Sequence, residues 1–276
     1  MIFKETGIVY KDSNFYQLET RLDHIMQQNQ VNLDQLLQAT VVDHQPNILN
    51  QIFDQATNNE TSFFRDAKVF QSMFSQIMKP FFEHNPGRSL NIWSVASSTG
   101  QEPYSLAMDL ENYRVINRDA NYRIMATDYS QRVLKKAQEG IYTQVEVQRG
   151  LSSINLVRYF EKIDARENAA DIRWKVKASL RAQIEFRHMN LLSPQWNLPR
   201  QLFDVILCRN VLIYQDQSNR KEILRKLSQH LSDEGCLLLG CAEAITNLPE
   251  IYVVQQVGEA TVYRLVKNAK PKNNVA

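Results

Sequence analysis

The sequence of 276 residues predicts an α/β fold, in which a helical N-terminal region precedes a larger region built on a mainly parallel sheet. Two observations lead to this prediction. Up to residue 57 the apolar residues recur at helical spacing, and no stretch has the pattern of a strand. From residue 91 onward, short apolar stretches alternate with amphipathic helical segments, which is typical of a parallel sheet with helices on both faces.

The N-terminal helices are predicted from apolar residues that share one face. Residues 13–26 form the first such segment, and Ser13 is a residue suited to its N-cap. The same spacing continues to residue 57, and a further helix is predicted after Asp66, which is suited to cap it. The stretch NETSFFRD, residues 59–66, is therefore predicted to be a non-helical link between two helices.

The domain boundary is predicted from helix-breaking residues. Residues 79–89 contain two prolines and a glycine, so we predict an all-helical N-terminal domain at 1–78 and a larger domain at 79–267. Residues 141–183 are longer than a crossover between strands needs, and we expect a small inserted subdomain there. The polar tail, 268–276, is predicted to be disordered.

Seven short apolar stretches are the predicted strands of the larger domain. The last two are separated by a short gap, which predicts an antiparallel hairpin at the edge of the sheet. The predicted strands are 91–96, 122–128, 184–190, 203–210, 236–242, 252–258 and 261–266, and the predicted helices between them are 102–113, 130–138 and 217–231.

The composition argues against several classes of protein. A net charge of +2 gives no general signal for nucleic-acid binding, and no apolar stretch approaches the roughly 20 residues that span a bilayer. The charged N-terminus lacks the apolar core of a secretory signal. Cys208, Cys236 and Cys241 lie in apolar stretches, as is typical of reduced core cysteines in a cytoplasmic protein. The five histidines have no metal-ligand spacing, so we expect no metal site.

Polar residues follow the first two strands of the predicted sheet. In such sheets ligands bind at the carboxyl ends of the strands, near the point where the strand order reverses. Residues 97–100, SSTG, form a turn into a helix whose N-terminus is electropositive, and Glu102 lies in its first turn. Asp128 ends the second strand, where a carboxylate can accept from both hydroxyls of a ribose.

The next two strands end in the same way. Asn190 and Leu191 follow the third strand, and an amide beside an apolar residue suits the edge and the flat face of an adenine. Arg209 and Asn210 follow the fourth strand, with Tyr214 about one turn further on. These residues predict a single ligand-binding pocket.

Each of these features also has a purely structural explanation. SSTG could be an ordinary turn, Asp128 and Asn190 could cap the segments that follow them, Arg209 and Asn210 could simply end a strand, and Tyr214 could belong to the core. A shared pocket is favoured because all of them lie at the same end of consecutive strands. The sequence has neither a G-K-[ST] phosphate loop nor a G-x-S-x-G nucleophile motif, so the pocket is predicted to bind an adenosine ligand without using phosphates.

Six segments, in a fixed order, resemble a known family. They are NETSFFRD (59–66), IWSVASSTGQEPYSLAM (92–108), ATDYSQRVLKKAQEGIY (126–142), RYF (158–160), MNLL (189–192) and FDVILCRNVLIYQD (203–216). Together they resemble the CheR-type chemotaxis receptor methyltransferases over nearly the whole chain. The resemblance implies a small all-helical N-terminal domain and a class I, Rossmann-like S-adenosylmethionine methyltransferase domain with an inserted small β-subdomain.

The resemblance also implies an activity. Proteins of this family transfer a methyl group from S-adenosylmethionine to glutamate side chains of membrane chemoreceptors, which leaves S-adenosylhomocysteine. The implied partner is the cytoplasmic domain of these receptors. The protein is then expected to be a cytoplasmic monomer that neither binds nucleic acid nor inserts into a membrane.

The family pattern implies the site residues one by one. Asn59, Thr61 and Arg65 would line the cofactor site from the N-terminal side, with Phe63 and Phe64 seating Arg65 in the cleft. The chemistry of the reaction, in which a carboxylate must be drawn in and oriented, favours Arg65 and Tyr214 for that role, although Arg65 could instead pair with the carboxylate of the cofactor. The remaining cofactor-binding residues would be Glu102, Asp128, Asn190, Leu191, Arg209 and Asn210.

Two other functions stay open at this level. One is an S-adenosylmethionine-dependent methyltransferase that acts on RNA or on a small molecule, which the near-neutral charge disfavours. The other is a cofactor-binding regulatory module without turnover. The joint presence of Arg65, Glu102, Asp128, Asn210 and Tyr214 disfavours that alternative.

Overall fold

The computed structural model describes residues 1–10, 15–163 and 172–266. Seven strands of this part of the chain form a central sheet in the order β6–β2–β1–β7–β8–β10–β9, and three form a small second sheet in the order β3–β5–β4. The strands are β1 (Leu90–Val95), β2 (Tyr122–Asp128), β3 (Ile141–Thr143), β4 (Phe160–Ile163), β5 (Arg173–Val176), β6 (Ile184–His188), β7 (Phe203–Cys208), β8 (Leu231–Leu239), β9 (Tyr252–Val257) and β10 (Ala260–Leu265).

The helices flank the central sheet and form the N-terminal region. The predicted helices at 102–113, 130–138 and 217–231 agree with α7, α8 and α12 to within one residue at each end. The helices are α1 (Ile2–Thr6), α2 (Phe15–Asn29), α3 (Leu33–Leu37), α4 (Pro46–Ala56), α5 (Ala67–Met73), α6 (Lys79–His84), α7 (Gln101–Arg114), α8 (Gln131–Glu139), α9 (Gln144–Gln148), α10 (Ser153–Tyr159), α11 (Ala178–Arg181) and α12 (Gln217–His230), with π-helical turns at Gln38–Val42 and Phe74–Met78 and a 3-10 turn at Leu212–Tyr214.

The central sheet confirms the predicted α/β fold. Strands β6, β2, β1, β7 and β8 pair in parallel, whereas β10 pairs antiparallel with β8 and β9 antiparallel with β10. The predicted edge hairpin is therefore confirmed. Every residue of β7 is buried, as expected for a central strand with helices on both faces.

One predicted strand begins earlier than expected. β8 starts at Leu231, directly after the last residue of α12, and not at Cys236. Leu231 is fully buried and pairs with Phe203, and the register shifts before Val205 pairs with Cys236. Polar residues lie between the two paired segments and interrupt the apolar stretch, so the apolar pattern did not reveal the start of this strand.

The strand order places a crevice in the middle of the sheet. The chain runs from β1 to β2 and β6 on one side and returns to β7 and β8 on the other, so the order reverses between β1 and β7. The connections that leave the carboxyl ends of these two strands therefore diverge, and a ligand-sized space opens between them.

The N-terminal helices have a core of their own. Ile25, Leu36, Ile52 and Phe53 form a buried cluster that is separate from the clusters around the central sheet. No strand pattern was predicted up to residue 57, yet Ile8 forms an isolated antiparallel bridge with Gln215. The predicted cap Ser13 lies outside the described residues, as does the predicted disordered tail.

The predicted division after residue 78 stays a prediction. Phe63, Phe70, Met73 and Met78 precede the division, yet they are buried in the same cluster as residues of strands β1 and β2, which follow it. The link at 59–66 is non-helical, as predicted, and it leads directly into this core.

The predicted insertion contains the small sheet. Strands β3, β5 and β4 pair antiparallel, and residues 164–171 between β4 and β5 lie outside the described part of the chain. The insertion packs on the link, because the ring of Phe63 lies 5.0 Å from that of Tyr142 and 5.7 Å from that of Phe160. Phe63 is fully buried, so the link is fixed from the side of the insertion.

Gly150, in the insertion, is expected to tolerate no side chain. Its φ is +89°, and a Cβ atom there would lie 1.9 Å from the carbonyl oxygen of Phe63. We expect Gly150→Ala to lower the free energy of unfolding by about 2–4 kcal/mol, because left-handed strain and a contact with rigid backbone add to each other. Urea-induced unfolding measures this loss.

The matched control is Gly87→Ala. Gly87 has a φ of +80°, and a Cβ atom there would meet nothing within 4 Å. This variant therefore carries only the backbone strain, of about 1–2 kcal/mol. Equal losses in the two variants would contradict the proposed contact between Gly150 and the link.

Two further findings concern the classes of protein considered above. Cys208 and Cys236 are buried, but Cys241 is exposed, so the expectation of three core cysteines is wrong for Cys241. Across the residues that the structure describes, no helix is long and apolar enough to cross a membrane.

Candidate functional site

A cavity opens at the carboxyl ends of β1, β2, β6 and β7. It contains about 1060 Å³ of space, part of it open to solvent. The structure brings together all ten residues selected from the sequence, although their individual roles stay predictions. The ten cavity-lining residues are Asn59, Thr61, Arg65, Glu102, Asp128, Asn190, Leu191, Arg209, Asn210 and Tyr214.

The turn after β1 forms the floor of the cavity. Ala96 and Ser98 have φ angles of 53° and 50°, a left-handed conformation that costs a non-glycine residue about 1–3 kcal/mol. The turn is held in place by the Tyr142 hydroxyl, which donates to the carbonyl of Thr99 at 2.6 Å. Strain that the surroundings maintain in this way is typical of functional sites.

Asp128 lies behind this turn and is nearly fully buried. Its Oδ2 accepts from the backbone N–H of Ser98 at 2.8 Å, and its Oδ1 accepts from that of Ser130 at 2.9 Å. Burial raises the pKa of Asp128 to about 6, although these backbone donors lower it. Each carboxylate oxygen has a second lone pair, so the group can still accept from a ligand.

The capping explanation for Asp128 is wrong. The N-cap of α8 is Ser130, whose hydroxyl accepts from the backbone N–H of Val133 at 3.3 Å. Asp128 instead joins the turn after β1 to the turn after β2. That position is consistent with a ligand-binding role.

Glu102 and Arg209 form a buried ion pair on the cavity wall. Arg209 Nη1 donates to Glu102 Oε2 at 3.0 Å, and Ser94 Oγ donates to Glu102 Oε1 at 2.7 Å. Arg209 Nη2 donates to the carboxylate of Asp66 and to the carbonyl of Arg65. Arg209 therefore joins the end of β7 to α7 and to the link.

The predicted capping role of Asp66 is wrong. Asp66 precedes α5, but its φ is 60° and its side chain makes no capping hydrogen bond. Its carboxylate faces Arg209 instead. The Asp66 carboxylate thus interacts more favourably with the buried guanidinium of Arg209 than with the backbone N–H groups in the exposed first turn of α5.

The link places Asn59, Thr61 and Arg65 over the cavity. The carbonyl of Asn59 accepts from Ser98 Oγ at 2.8 Å, which ties the link to the turn after β1. Arg65 Nη1 donates to the carbonyl of Glu60 at 3.1 Å, so the guanidinium is steadied by the link itself. Within the described residues Arg65 pairs with no carboxylate, which leaves its other donors for a ligand.

Residues 1–9, here called the N-terminal strap, close one side of the cavity. Thr6 and Ile8 line the cavity, and the carbonyl of Glu5 accepts from Asn190 Nδ2 at 2.9 Å. Asn190 Oδ1 accepts from the backbone N–H of Leu192 at 2.9 Å, so Asn190 also caps the segment that follows it, as the structural alternative expected. Asn190 Nδ2 also lies 3.4 Å from Oε1 of Glu5, so both of its N–H groups face Glu5, and the second lone pair of Oδ1 is what remains for a donor on the adenine edge.

The loop after β7 is held by one carboxylate. Glu243 accepts from the backbone N–H groups of Asn210 and Gly240 at 2.7 Å each and from that of Val211 at 3.0 Å. Asn210 has a φ of 58°, and these bonds fix it in that conformation. The same bonds set the position of the turn that carries Tyr214.

Several residues of the cavity were not predicted as site residues. Gln215 lies within a segment that carried the family resemblance, whereas Thr6, Ile8 and Asn58 gave no local signal, because they reach the cavity from distant parts of the chain. Four of these cavity-lining residues are Thr6, Ile8, Asn58 and Gln215.

Comparisons with known proteins agree with this geometry. A family profile described as "CheR methyltransferase, SAM binding domain" matches residues 59–260, a range that contains all ten predicted site residues. The chain is 34% identical over 265 residues to "Chemotaxis protein methyltransferase Cher2" of Pseudomonas putida, and the match covers 95% of this chain and 94% of that protein.

Two other relatives carry similar names. The chain is 36% identical over 265 residues to "Chemotaxis protein methyltransferase 1" of Pseudomonas aeruginosa, with 95% and 93% of the two chains covered. It is 34% identical over 212 residues to "Chemotaxis protein methyltransferase" of Escherichia coli, with 77% and 69% covered. The likeness to the Pseudomonas relatives thus extends over almost the full length of both chains.

Proposed function

The chain belongs to the CheR family of S-adenosylmethionine-dependent methyltransferases, and on that premise we propose that it esterifies glutamate side chains of chemoreceptors. The products are glutamate methyl esters and S-adenosylhomocysteine. The observation that carries the proposal is the convergence of ten site residues, from the link and from four strand ends, on one cavity.

The wall of the cavity fits such a cofactor. Three buried side-chain atoms on it have no hydrogen-bond partner within the described residues, namely Ser97 Oγ, Arg209 Nε and Gln215 Oε1. A buried polar group left unsatisfied costs about 1–3 kcal/mol, so a ligand with polar groups is favoured there. The ribose and amino-acid groups of S-adenosylmethionine are ligand groups of this kind.

We assign the nucleoside end of the cofactor to two strand ends. Asp128 would accept from the ribose hydroxyls, while Asn190 and Leu191 would meet the edge and the face of the adenine. Glu102 and Arg209 neutralise each other on the wall between these residues and the link. Thr6 and Ile8 of the N-terminal strap line the cavity and would shield one side of the nucleoside from water.

The chemistry requires alignment more than proton transfer. S-adenosylmethionine supplies an electrophilic methyl group, and a glutamate carboxylate is already ionised at neutral pH, so no general base is needed. Arg65 can hold this carboxylate with two donors of its planar guanidinium, and the Tyr214 hydroxyl can donate a further hydrogen bond. Correct placement of two reacting groups can contribute about 7–11 kcal/mol to lowering a barrier.

The setting of the reaction forms part of the proposal. The substrate would be the cytoplasmic domain of a membrane chemoreceptor, and the enzyme would act on it as a cytoplasmic monomer without nucleic acid or membrane insertion.

The decisive experiment follows the methyl group. Purified protein and methyl-tritiated S-adenosylmethionine are incubated with membranes that contain a candidate receptor or lack it. Base-labile label on receptor glutamates, present only with the receptor, supports the proposal. Label on RNA or on a small molecule, or the absence of transfer to every candidate receptor, would contradict it.

Asp128→Asn is expected to weaken cofactor binding. Charge-assisted hydrogen bonds contribute about 1.5–3 kcal/mol, so the affinity for S-adenosylhomocysteine should fall by about one to two decades. Asparagine is chosen because it keeps an acceptor for one of the two buried N–H groups. Isothermal titration calorimetry measures the change, and unchanged affinity would remove Asp128 from the cofactor site.

The same residue predicts a dependence on pH. Burial raises the pKa of Asp128 to about 6, so the carboxylate is ionised above that pH and protonated below it. Because the protonated acid accepts less well from two hydroxyls, cofactor affinity of the wild-type protein should fall as the pH is lowered through about 6. The Asp128→Asn variant should show a much flatter profile over the same range.

A further inference from the structure

The side chain of Tyr214 is held by a residue to which neither the sequence nor the family resemblance gave a role. Asn58 Nδ2 lies 2.6 Å from the hydroxyl oxygen of Tyr214. The two residues are 156 positions apart, and both line the cavity. Asn58 lies directly before the link, so this hydrogen bond joins the N-terminal side of the cavity to the turn after β7.

The orientation of the Asn58 amide is fixed by its other contact. Its Oδ1 faces the backbone N–H of Glu60 at 3.4 Å, and a carbonyl oxygen is the atom that suits this donor. Nδ2 therefore points at Tyr214, and the phenol oxygen is the acceptor. In this arrangement the proton of the Tyr214 hydroxyl is free to point elsewhere.

The main chain of Tyr214 is already fixed by other bonds. Its carbonyl accepts from the backbone N–H of Val9 at 2.9 Å, and its own N–H donates to the carbonyl of Val211 at 3.2 Å. Glu243 holds the start of the same loop. The remaining freedom is rotation of the side chain and of its hydroxyl, and this is the freedom that Asn58 restricts.

The hydroxyl proton has no competing protein partner. Within residues 1–10, 15–163 and 172–266, no acceptor takes a hydrogen bond from the Tyr214 hydroxyl, and the residue is half-buried and lines the cavity. A phenol that accepts from an amide and donates to a carboxylate uses both of its functions, and a hydrogen bond to a charged acceptor is a strong one.

We propose that Asn58 is a positioning residue, which makes Tyr214 a hydrogen-bond donor directed at the substrate carboxylate. By occupying the phenol oxygen, Asn58 selects the hydroxyl rotamer whose proton points into the cavity. The inference rests on the proposed function, in which Tyr214 orients the glutamate that receives the methyl group. In this proposal Asn58 acts through the Tyr214 hydroxyl and not through a contact of its own with the reacting atoms.

The test is a double-mutant cycle on methylation kinetics at saturating cofactor. Tyr214→Phe is expected to lower kcat by about tenfold or more, and Asn58→Ala by about three- to tenfold, since the second variant keeps the donor but loses its orientation. Because Asn58 acts only through the hydroxyl, adding Asn58→Ala to Tyr214→Phe should lower kcat by less than about twofold further.

Asn58→Asp gives the sharper result. A carboxylate at this position would accept the Tyr214 proton, so the hydroxyl would no longer be available to the substrate, and its charge would repel the substrate carboxylate. We expect a larger loss of kcat than for Asn58→Ala, with the affinity for S-adenosylhomocysteine and the unfolding midpoint close to wild type in both variants. Activity equal to wild type in Asn58→Asp would overturn the inference.

The outcomes separate this inference from the proposed function. If Tyr214→Phe keeps wild-type kcat, the role of Tyr214 fails and the inference with it. If Tyr214→Phe is impaired but Asn58→Ala is not, or if the two losses multiply, the proposed role of Tyr214 survives and the positioning role of Asn58 is wrong. Asn117→Ala is the matched control, because Asn117 is an exposed asparagine that bonds locally to Tyr113.

Discussion

Replacement of Arg65 by alanine is expected to lower receptor methylation by about a hundredfold at saturating cofactor, because misplacement of a reacting group by about 1 Å can cost that much. Arg65 lines the cavity, and one of its donors is bonded to the carbonyl of Glu60, which leaves the rest of the guanidinium for a ligand. If it binds the substrate carboxylate, the affinity for S-adenosylhomocysteine should stay nearly unchanged.

The competing role of Arg65 gives a different pattern. If Arg65 pairs with the carboxylate of the cofactor, affinity and methylation rate should fall together. We favour the substrate role, because Arg65 is a cation that forms no ion pair within the described residues, and an anionic substrate must be drawn into the cavity. Calorimetric affinity, measured beside the rate at saturating cofactor, separates the two roles.

Two further variants complete this test. Arg65→Lys keeps the charge but not the planar pair of donors, so a bidentate role should not be rescued. Lys68→Ala is the control, since Lys68 is an exposed cation three residues further along and does not line the cavity. Wild-type values for Arg65→Ala and Arg65→Lys in both assays would remove Arg65 from the site.

Arg209→Met is expected to cause the largest loss of stability, a decrease of about 3–5 kcal/mol in the free energy of unfolding, because it leaves a buried charge without its partner. The side chain of Arg209 is 2% exposed, and that of its partner Glu102 is 14% exposed. Asp66, the second partner, is 35% exposed and can be hydrated, so most of the loss should come from Glu102. Urea-induced unfolding measures the decrease.

A second substitution tests this explanation. Arg209→Met combined with Glu102→Gln removes both charges and should recover part of the lost stability, because no uncompensated carboxylate remains. The control is Arg225→Met, since Arg225 and Glu250 form an exposed pair at 3.9 Å that should contribute about 0–1 kcal/mol. A loss for Arg209→Met as small as that of the control would show that Glu102 is hydrated.

These contacts refine the roles expected for Glu102 and Arg209. Both were predicted to bind the cofactor, and both line the cavity, but their charged atoms also bind each other. Arg209 further binds the carbonyl of Arg65, so it supports the link that carries a predicted substrate-binding residue. Loss of Arg209 should therefore weaken catalysis as well as stability.

The sequence by itself determined the central sheet and the ends of its strands. Buried parallel strands are continuous apolar stretches, and amphipathic helices repeat their apolar residues every three to four positions, so both patterns can be read locally. In a parallel sheet the carboxyl ends of the strands lie on one edge. For this reason the sequence alone was enough to place Asp128, Asn190 and Arg209 together. The order of the motifs then indicated the family.

The tertiary structure alone decided which atoms these residues use and what closes the cavity. The N-terminal strap, Asn58 and Glu243 reach the site through hydrogen bonds between distant residues, such as the bond from Asn190 to Glu5. The same is true of the bond between Asp66 and Arg209, which replaced the predicted helix cap. A hydrogen bond depends on the placement of two atoms to within a few tenths of an ångström. Pairs separated by more than a hundred residues leave no periodic pattern in the sequence. Only the packed fold therefore determines these hydrogen bonds.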